Sequence, residues 1–328
     1  MLRYVIKRIF YMIPTLFGLS LIAFMIIQLP PGDYVTSMIA SMQDSGANVD
    51  PRQIERLREI YGFNDPIWVQ YLKWIGGILF RGDFGYSFEW NRPVADLIWE
   101  RMGSTLAISV ASLLFVWAVA LPIGIYSAVR RHSVGDYIFT FIGFIGLAVP
   151  NFILALTLMY LSYRYFGQSV GGLFSPEYVE APWSWGKFVD LLNHLWIPII
   201  VIGTSGTAAL IRVLRANLTD ELHKPYVITA KAKGLPEHRV VLKYPVRIAL
   251  NPFVSAIGWV LPELVSGVTI TAIVLNLPTA GPLLLRALIS QDMYLAGSFI
   301  LLMGVLTLIG MLVSDLLLAL LDPRIRFT

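Results

Sequence analysis

The sequence contains no cysteine, and only 14% of its 328 residues are charged. Without cysteine the chain has no disulfide, no thiolate metal site and no cysteine nucleophile. Soluble domains are about one quarter charged, whereas here 56% of the residues are hydrophobic and the mean hydropathy is +0.68. The composition therefore predicts a membrane protein. The net charge of +4 is too small to indicate binding of nucleic acid.

The sequence also lacks a phosphate-binding loop of the form GxxxxGKS or GxxxxGKT. The glycine-rich stretch 81–87, RGDFGYS, has neither the lysine nor the spacing of such a loop. Any activity of this chain that requires energy must therefore draw it from another polypeptide or from an ion gradient. An intramembrane hydrolase is disfavoured, because Ser205 lies among small residues typical of helix packing and the histidines fall in loops or near span boundaries.

Six apolar runs are candidates for membrane-spanning helices, since about 20 helical residues cross the hydrocarbon core. They lie at residues 9–32, 102–129, 137–163, 195–211, 250–275 and 293–321. The first run follows three basic residues and has no small-x-small cleavage site, which favours a retained helix over a signal peptide. We therefore expect an all-α polytopic membrane protein with six transmembrane helices.

The distribution of basic residues predicts the orientation of these helices. Six spans with a cytoplasmic N-terminus place both chain ends in the cytoplasm. The cytoplasmic stretches are then 1–8, 129–136, 212–249 and 322–328, and the external stretches are 30–103, 163–196 and 276–295. The former hold 15 lysines and arginines in 61 residues, and the latter hold 10 in 128 residues. This excess on the cytoplasmic side supports the assignment.

The predicted organisation has four parts. Residues 1–32 form the cytoplasmic N-terminus and first helix, 33–101 a small external (periplasmic) subdomain, 102–321 a five-helix core, and 322–328 a cytoplasmic tail. The subdomain contains two helix starts, at Asp50-Pro51 and at Asp65-Pro66. In the second helix Trp68, Leu72 and Ile75 are expected to lie on one side.

Several residues within the apolar runs are candidates for hinges or for the transport path. Pro122 and Pro150 interrupt helical runs, where neighbouring helices can satisfy the freed carbonyl groups. The candidate hinge or path residues are Pro150, Gly258, Pro262 and Glu263. Glu263 and Asp315 lie at membrane depth, either as a proton or cation site or as structural carboxylates. We favour the structural role.

A basic island at 226–252 separates the fourth and fifth apolar runs. Pro225 suits the first position of a helix, Gly234 suits the left-handed residue that ends it, and Pro236 opens a second helix. Small side chains in the first helix, at Ala230 and Ala232, would let another surface approach its backbone closely. The second helix is expected to be amphipathic. Its apolar positions are Val240, Val241, Tyr244 and Ile248, and its basic positions are Arg239, Lys243 and Arg247. Periodicity alone fits equally a segment that lies on anionic lipid.

The basic island resembles the cytoplasmic EAA loop of membrane subunits in binding-protein-dependent ABC importers, and most closely that of the peptide permease family. The matching residues are Tyr226, Val227, Thr229, Ala230, Lys231, Ala232, Lys233, Gly234 and Leu235. The general loop has an acidic residue and a proline where this chain has Ile228 and Arg247, a departure that favours the peptide branch. The stretch GDFGYS at 82–87 and the ending LDPRIR at 321–326 resemble the same family.

The resemblance implies a permease subunit of the first, or B-type, kind, with no catalytic residue, no metal and no cofactor of its own. Loop 212–249 would insert into a groove on an ATPase. The residues implied in this ATPase coupling are Tyr226, Thr229, Ala230, Lys231, Ala232, Lys233, Gly234, Leu235 and Arg239. The implied partners are a second, homologous permease subunit, two ABC ATPase subunits that use ATP and Mg, and an extracytoplasmic solute-binding protein. The implied location is the plasma (inner) membrane of a bacterium or archaeon, in contact with the lipid bilayer.

The cargo is left open by the sequence. The family carries peptides, but stretch 277–283 departs from the usual peptide-permease pattern. Trp183 and Trp185, on an external loop, suit stacking on an oligosaccharide or glycoside as well as anchoring at a membrane interface. A stand-alone secondary transporter is a further alternative, although such proteins are typically built from repeats that this sequence does not display.

Overall fold

The computed structural model describes residues 2–28, 65–87, 89–167, 170–266 and 268–321. Within these ranges the chain is helical apart from one two-stranded antiparallel hairpin. The helices are α1 (Leu2–Gln28), α2 (Ile67–Arg81), α3 (Val94–Val129), α4 (Val134–Ala148), α5 (Asn151–Phe166), α6 (Trp185–Leu222), α7 (Pro225–Ala232), α8 (Glu237–Lys243), α9 (Pro245–Ala249), α10 (Asn251–Ser266), α11 (Thr269–Val274), α12 (Ala280–Ile289) and α13 (Met293–Leu321). The strands are β1 (Tyr86–Ser87) and β2 (Arg92–Pro93), with Tyr86 opposite Pro93.

Five helical stretches among the described residues are long and apolar enough to cross a membrane. They are Val5–Met25, Val94–Val129, Trp185–Leu222, Glu237–Gly258 and Met293–Leu320. Helices α4 and α5 make a sixth if the pair is counted as one broken span. The predicted all-α polytopic fold is confirmed. The short helix α12 was not predicted, since residues 276–295 were expected only as an external stretch between two spans.

The third predicted span, at 137–163, is two helices rather than one. Helices α4 and α5 meet at an angle of 102°. The break falls at Val149 and Pro150, which both adopt extended conformations with ψ of 120° and 136°. Proline clashes with a helical conformation of the residue before it and has no N–H to donate, so the helix ends here.

The fifth predicted span, at about 250–275, also differs from the structure. The qualifying stretch, Glu237–Gly258, begins earlier and is divided into α8, α9 and the first half of α10. Its first part carries Arg239, Lys243 and Arg247, charges that a hydrocarbon core disfavours. Length and composition alone therefore place the start of this span too early, and α10 is the segment suited to the membrane.

The described residues group into two compact units. Unit 1 comprises Met1–Val5, Thr105–Pro278 and Thr307–Thr328, and unit 2 comprises Ile6–Ser104 and Thr279–Leu306. The division into an external subdomain at 33–101 and a core at 102–321 stays a prediction. The predicted helix start at Asp50 lies outside the described residues.

Unit 1 is held together by close packing of its long helices. A Cβ atom on Gly203 of α6 would lie 2.6 Å from the ring of Phe115 in α3, and one on Gly124 of α3 would lie 2.7 Å from Leu214. Without side chains at these glycines the helices approach more closely than larger residues would allow, as is usual between membrane helices. An apolar cluster nearer the start of α6, around Ile197 and Val201, joins α6 to α5 and α11.

Unit 2 contains an aromatic cluster between α1, α2 and α13. Phe24, Tyr71, Trp74, Met293 and Leu301 form its buried part. The hydroxyl groups of Ser20 and Tyr71 are 2.8 Å apart and hydrogen bonded.

The predicted helix after Asp65 is confirmed as α2. Trp68 and Leu72 are exposed and Ile75 packs against the aromatic cluster, whereas Tyr71 and Trp74 are buried. Both faces of α2 are apolar, so periodicity did not distinguish the face that packs on α1 from the opposite one.

The hairpin of unit 2 is fastened to the start of α13 by a buried carboxylate. Ser87 and Asp292 are both fully buried, and the Ser87 hydroxyl donates to Asp292 Oδ2 at 2.5 Å. Asp292 Oδ1 also accepts from the backbone N–H of Leu295, which caps α13. Outside this pair, Arg286 donates to Glu89 and lies 4.9 Å from the centre of the Trp90 ring. The GDFGYS stretch thus has a structural role.

We expect Gly85→Ala to destabilise the protein more than Gly82→Ala. Both glycines have positive φ, +86° and +63°, so alanine at either site costs about 1–2 kcal/mol. At Gly85 the new Cβ would also lie 2.7 Å from the Tyr294 ring, whereas at Gly82 no atom of the described residues lies within 4 Å of it. The apparent unfolding temperature of each purified variant in detergent would measure the difference. Equal losses at the two sites would contradict the packing role of Gly85.

Candidate functional site

The basic island folds as the predicted helix, glycine stop and second helix. Pro225 is the first residue of α7, and Gly234 takes a left-handed conformation with φ of +77° just after the helix ends. No atom lies within 4 Å of a Cβ built on Gly234. The glycine is therefore required by the backbone conformation and not by a close neighbour. Pro236 is the cap before α8.

The two helices of this hairpin pack on each other through a small apolar cluster. Val227 and Ala230 of α7 and Val240 of α8 are buried, and Tyr226 and Tyr244 flank them. Ala230 is only 7% exposed. Its small side chain thus serves the contact between α7 and α8, which differs from the expectation that it offers a surface to another protein.

Tyr226 ties α7 to the end of α6. Its hydroxyl donates to Glu221 Oε2 at 2.5 Å. Burial, reinforced by the adjacent Glu221 carboxylate, raises the pKa of the Tyr226 phenol well above its usual value of 10. The phenol therefore keeps its proton, and the hydrogen bond persists, at any physiological pH.

The remaining predicted coupling residues are exposed together on the outer side of this hairpin. They are Thr229, Lys231, Ala232, Lys233, Gly234, Leu235 and Arg239. Ile228, which sequence reasoning treated only as a departure from the family pattern, is 60% exposed among them. Leu242 of α8 is exposed as well. We call these nine residues the loop surface.

Charge on the loop surface is mostly basic and weakly paired. Lys231 Nζ lies 3.8 Å from Glu237 Oε1, and both side chains are largely exposed. Exposed pairs of this kind add little stability. A surface that combines exposed isoleucine and leucine with lysine and arginine is suited to contact with a protein that is apolar in its centre and acidic at its edge.

The predicted apolar face of the second helix is only partly correct. Val240 and Val241 are buried, but Ile248 is exposed. Helix α8 ends at Lys243, and Pro245 starts the separate helix α9. The helical spacing that related Ile248 to Val241 is lost at this break, and α9 instead buries Val246 and Ala249.

The inner side of the loop is anchored on two long membrane helices. Val241, Val246, Ala249 and Phe253 form one buried cluster with α3 and α6. The residues supplied by those helices are Ala120, Ala128, Ile211, Leu214 and Leu218. Full burial of a valine or phenylalanine side chain stabilises by about 1.5–3 kcal/mol, so the loop is firmly attached to both helices. Arg247 adds a hydrogen bond to the carbonyl of Leu320 in α13, at 3.4 Å.

The predicted hinge and path residues are dispersed. Pro150 lies at the bend between α4 and α5. Gly258 lies where α10 and α13 cross, with its Cα 3.3 Å from the site of a Cβ on Gly310. Asp315 is half-buried on α13. Pro262 and Glu263 fall within α10, but their side chains lie outside the described part of the chain. Their roles stay predictions.

In the part of the chain that the structure describes, no three histidine or acidic side chains come together as metal ligands. Buried carboxylates there are occupied by hydrogen-bond donors instead. Asp190, for example, accepts hydrogen bonds from both the N–H and the hydroxyl of Ser175. The ammonium group of Lys187 donates to two backbone carbonyl oxygens and lies over the rings of Phe174 and Trp183. These contacts fasten the segment 170–184 to the start of α6.

Two family models match the chain. Residues 120–327 match the binding-protein-dependent transport system inner membrane component, and residues 1–109 match the N-terminal region of the membrane component of such systems. The first match covers the loop surface, α6 and the last part of α3.

Known relatives match over the full chain. The oligopeptide transport system permease protein AppB of Bacillus subtilis is 35% identical over 329 residues, covering 100% of both chains. The dipeptide transport system permease protein DppB of Escherichia coli is 30% identical over 342 residues, covering 99% of both. The oligopeptide transport system permease protein OppB of Haemophilus influenzae is 28% identical over 328 residues, covering 100% of both.

These similarities agree with the all-helical, membrane-spanning fold. They exclude the intramembrane hydrolase and the stand-alone secondary transporter, since a component of this kind works within an ABC complex and is not itself the ATPase. No cofactor is expected for such a subunit. The chain is a multi-pass protein of the inner membrane, and it belongs to the family of inner membrane components of binding-protein-dependent transport systems.

Proposed function

We propose that this chain is the B-type permease subunit of an ATP-driven importer of peptides or peptide-like solutes. The observation that carries the proposal is the loop surface, an exposed basic and apolar hairpin anchored on two membrane helices. Full-length similarity to permeases of oligopeptide and dipeptide transport systems supports a peptide cargo. Nothing in those similarities supports the oligosaccharide alternative that Trp183 and Trp185 suggested.

The proposed complex contains this chain, a second homologous permease, two ABC ATPase subunits and an extracytoplasmic solute-binding protein. Each ATPase would receive one coupling loop. A second permease would complete the path, since helix α4 exposes large apolar side chains, among them Phe141 and Phe144, that need lipid or another helix against them. ATP and Mg would be bound by the ATPase subunits.

Coupling would proceed from the loop surface to the membrane helices. Closure of the ATPases would displace α7 and α8. Helix α7 packs on α8, and Val241 of α8 packs on α3 and α6. Because the inner side of the loop is closely packed, a displacement is passed on to those helices and not absorbed within the loop. The two permeases would thereby alternate between opening to the cytoplasm and opening to the outside.

The proposed orientation places both chain ends and the loop surface in the cytoplasm. Region 33–101 and segment 170–184 would then lie outside, where region 33–101 would help to receive the binding protein. The excess of basic residues in the predicted cytoplasmic stretches supports this orientation.

We expect Ala232→Arg to uncouple the transporter without unfolding the chain. Ala232 is exposed, so a large charged side chain is tolerated in this chain but obstructs a partner surface. ATP-driven uptake in proteoliposomes should fall at least about tenfold, as for a central interface residue. Ala230→Arg is the comparison, because it inserts charge into the buried contact and should also lower the unfolding temperature.

The control for these variants is Glu180→Arg, an exposed change in segment 170–184. It should leave uptake near that of the unmodified complex. Normal uptake by Ala232→Arg would count against the loop surface as the ATPase contact.

The absence of cysteine allows a direct test of orientation. Single cysteines at Glu180, Lys233 and Thr328 can be probed with a membrane-impermeant maleimide in intact cells. We expect labelling of Glu180→Cys in intact cells, and labelling of Lys233→Cys and Thr328→Cys only after permeabilisation. The opposite pattern would reverse the proposed topology.

Partners and cargo can be tested with the purified complex. Purification of this chain in mild detergent, followed by mass spectrometry, should yield a second permease and ATPase subunits in a 1:1:2 ratio if two ATPase sites are occupied, as proposed. The associated binding protein should bind short peptides in calorimetry more tightly than oligosaccharides. Recovery of the chain alone, active in uptake without ATP, would refute the importer assignment.

A further inference from the structure

A partly buried ion pair joins α4 to α6 near the loop. Arg215 of α6 donates from Nε to Asp136 Oδ1 and from Nη2 to Asp136 Oδ2, both at 2.8 Å. The Asp136 side chain is 1% exposed. Parallel hydrogen bonds of this kind fix the relative orientation of the two groups as well as their distance.

The same carboxylate also organises the turn between α3 and α4. Its Oδ2 accepts from the backbone N–H of His132 at 3.0 Å. Ser133 caps α4 by accepting from the backbone N–H of Asp136 at 3.2 Å. The Asp136 side chain thus connects the turn after α3, the start of α4 and the middle of α6.

Along the rest of their contact, α4 and α6 pack through small residues. A Cβ on Gly143 would lie 3.7 Å from the Cβ of Ala208, and one on Gly146 would lie 2.7 Å from Cγ2 of Thr204. These contacts are between apolar atoms and are not directional, unlike a hydrogen bond. Among the described contacts between these two helices, the Asp136–Arg215 pair is the charged, directional one.

The coupling loop does not hold α4 directly. The apolar cluster that anchors the loop draws on α3 and α6 and, among the described residues, includes no residue of α4. Movement of the loop therefore reaches α4 through its contacts with those helices. Helix α4 in turn leads to the 102° bend at Pro150.

We propose that Asp136 and Arg215 are positioning residues that make α3, α4 and α6 move as one body when the ATPase acts on the loop. Without the pair, the loop would still move α3 and α6, while α4 and the bend at Pro150 would lag behind. This inference rests on the proposed function of the loop surface. It adds a residue pair, outside the loop surface, on which the ratio of transport to ATP hydrolysis depends.

The first test compares transport with ATP hydrolysis in the assembled complex. Asp136→Asn keeps the size of the side chain but removes its charge, and Arg215→Lys keeps the charge but not the paired geometry. In proteoliposomes we expect each variant to hydrolyse ATP at a rate near that of the unmodified complex. Peptide taken up per ATP should fall about tenfold, as for the loss of a hydrogen bond to a charged group.

The matched control is Glu100→Gln, which neutralises an exposed ion pair with Arg92. It should leave uptake per ATP unchanged. If Asp136→Asn lowers uptake and hydrolysis in proportion, the pair serves folding alone and the inference is overturned. If the unmodified complex shows no ATP-dependent uptake at all, the proposed function fails instead, so the two failures are distinguishable.

A disulfide can replace the ion pair because the chain is free of cysteine. The 3.7 Å separation of Cβ positions at Gly143 and Ala208 matches the spacing of about 3.8 Å found in disulfides. In the Asp136→Asn background, oxidised Gly143→Cys/Ala208→Cys should restore uptake per ATP, and reduction should abolish the rescue. In the unmodified background the same cross-link should leave uptake intact. A cross-link that stops uptake there would show that α4 and α6 move relative to each other, and it would overturn the inference.

Discussion

The apolar contact between the loop and the helices α3 and α6 is the interaction on which the rest of this structure depends. Val241, Val246 and Phe253 are buried against both helices, and together they attach a water-exposed hairpin to the membrane-embedded part of the chain. If this contact were loose, force applied to the loop surface would be lost in local rearrangement. Because the contact is closely packed, the loop moves together with the two helices.

Polar contacts determine which further elements are held against α3 and α6. Tyr226 holds α7 to Glu221 of α6, and Asp136 brings in α4 through Arg215. Unit 2 has its own buried carboxylate, Asp292, with Ser87 as donor. In each case a polar side chain removed from water needs its hydrogen-bond partner. These contacts therefore set the orientation of elements that apolar packing, which is not directional, does not fix by itself.

Glycines and prolines set the shape of the chain between these contacts. Pro150 and Pro245 end helices that the apolar pattern would continue, and Gly234 lies at the turn between α7 and α8. Gly203 and Gly258 allow close helix crossings. Together they explain why a chain with long apolar runs forms short, angled segments at the bend and around the loop.

The membrane character, the approximate spans, the helix, glycine stop and helix of the basic island, and the family could be predicted from composition, from proline and glycine positions and from a local motif. The burial of Tyr71 and not Trp68 in α2, the inward position of Ala230, and the contact of Asp136 with Arg215, 79 residues away, are seen only in the folded chain. In a membrane protein both the lipid-facing and the protein-facing sides of a helix are apolar, so periodicity does not reveal which side is packed. Contacts between distant residues depend on how the helices assemble, which no local pattern encodes.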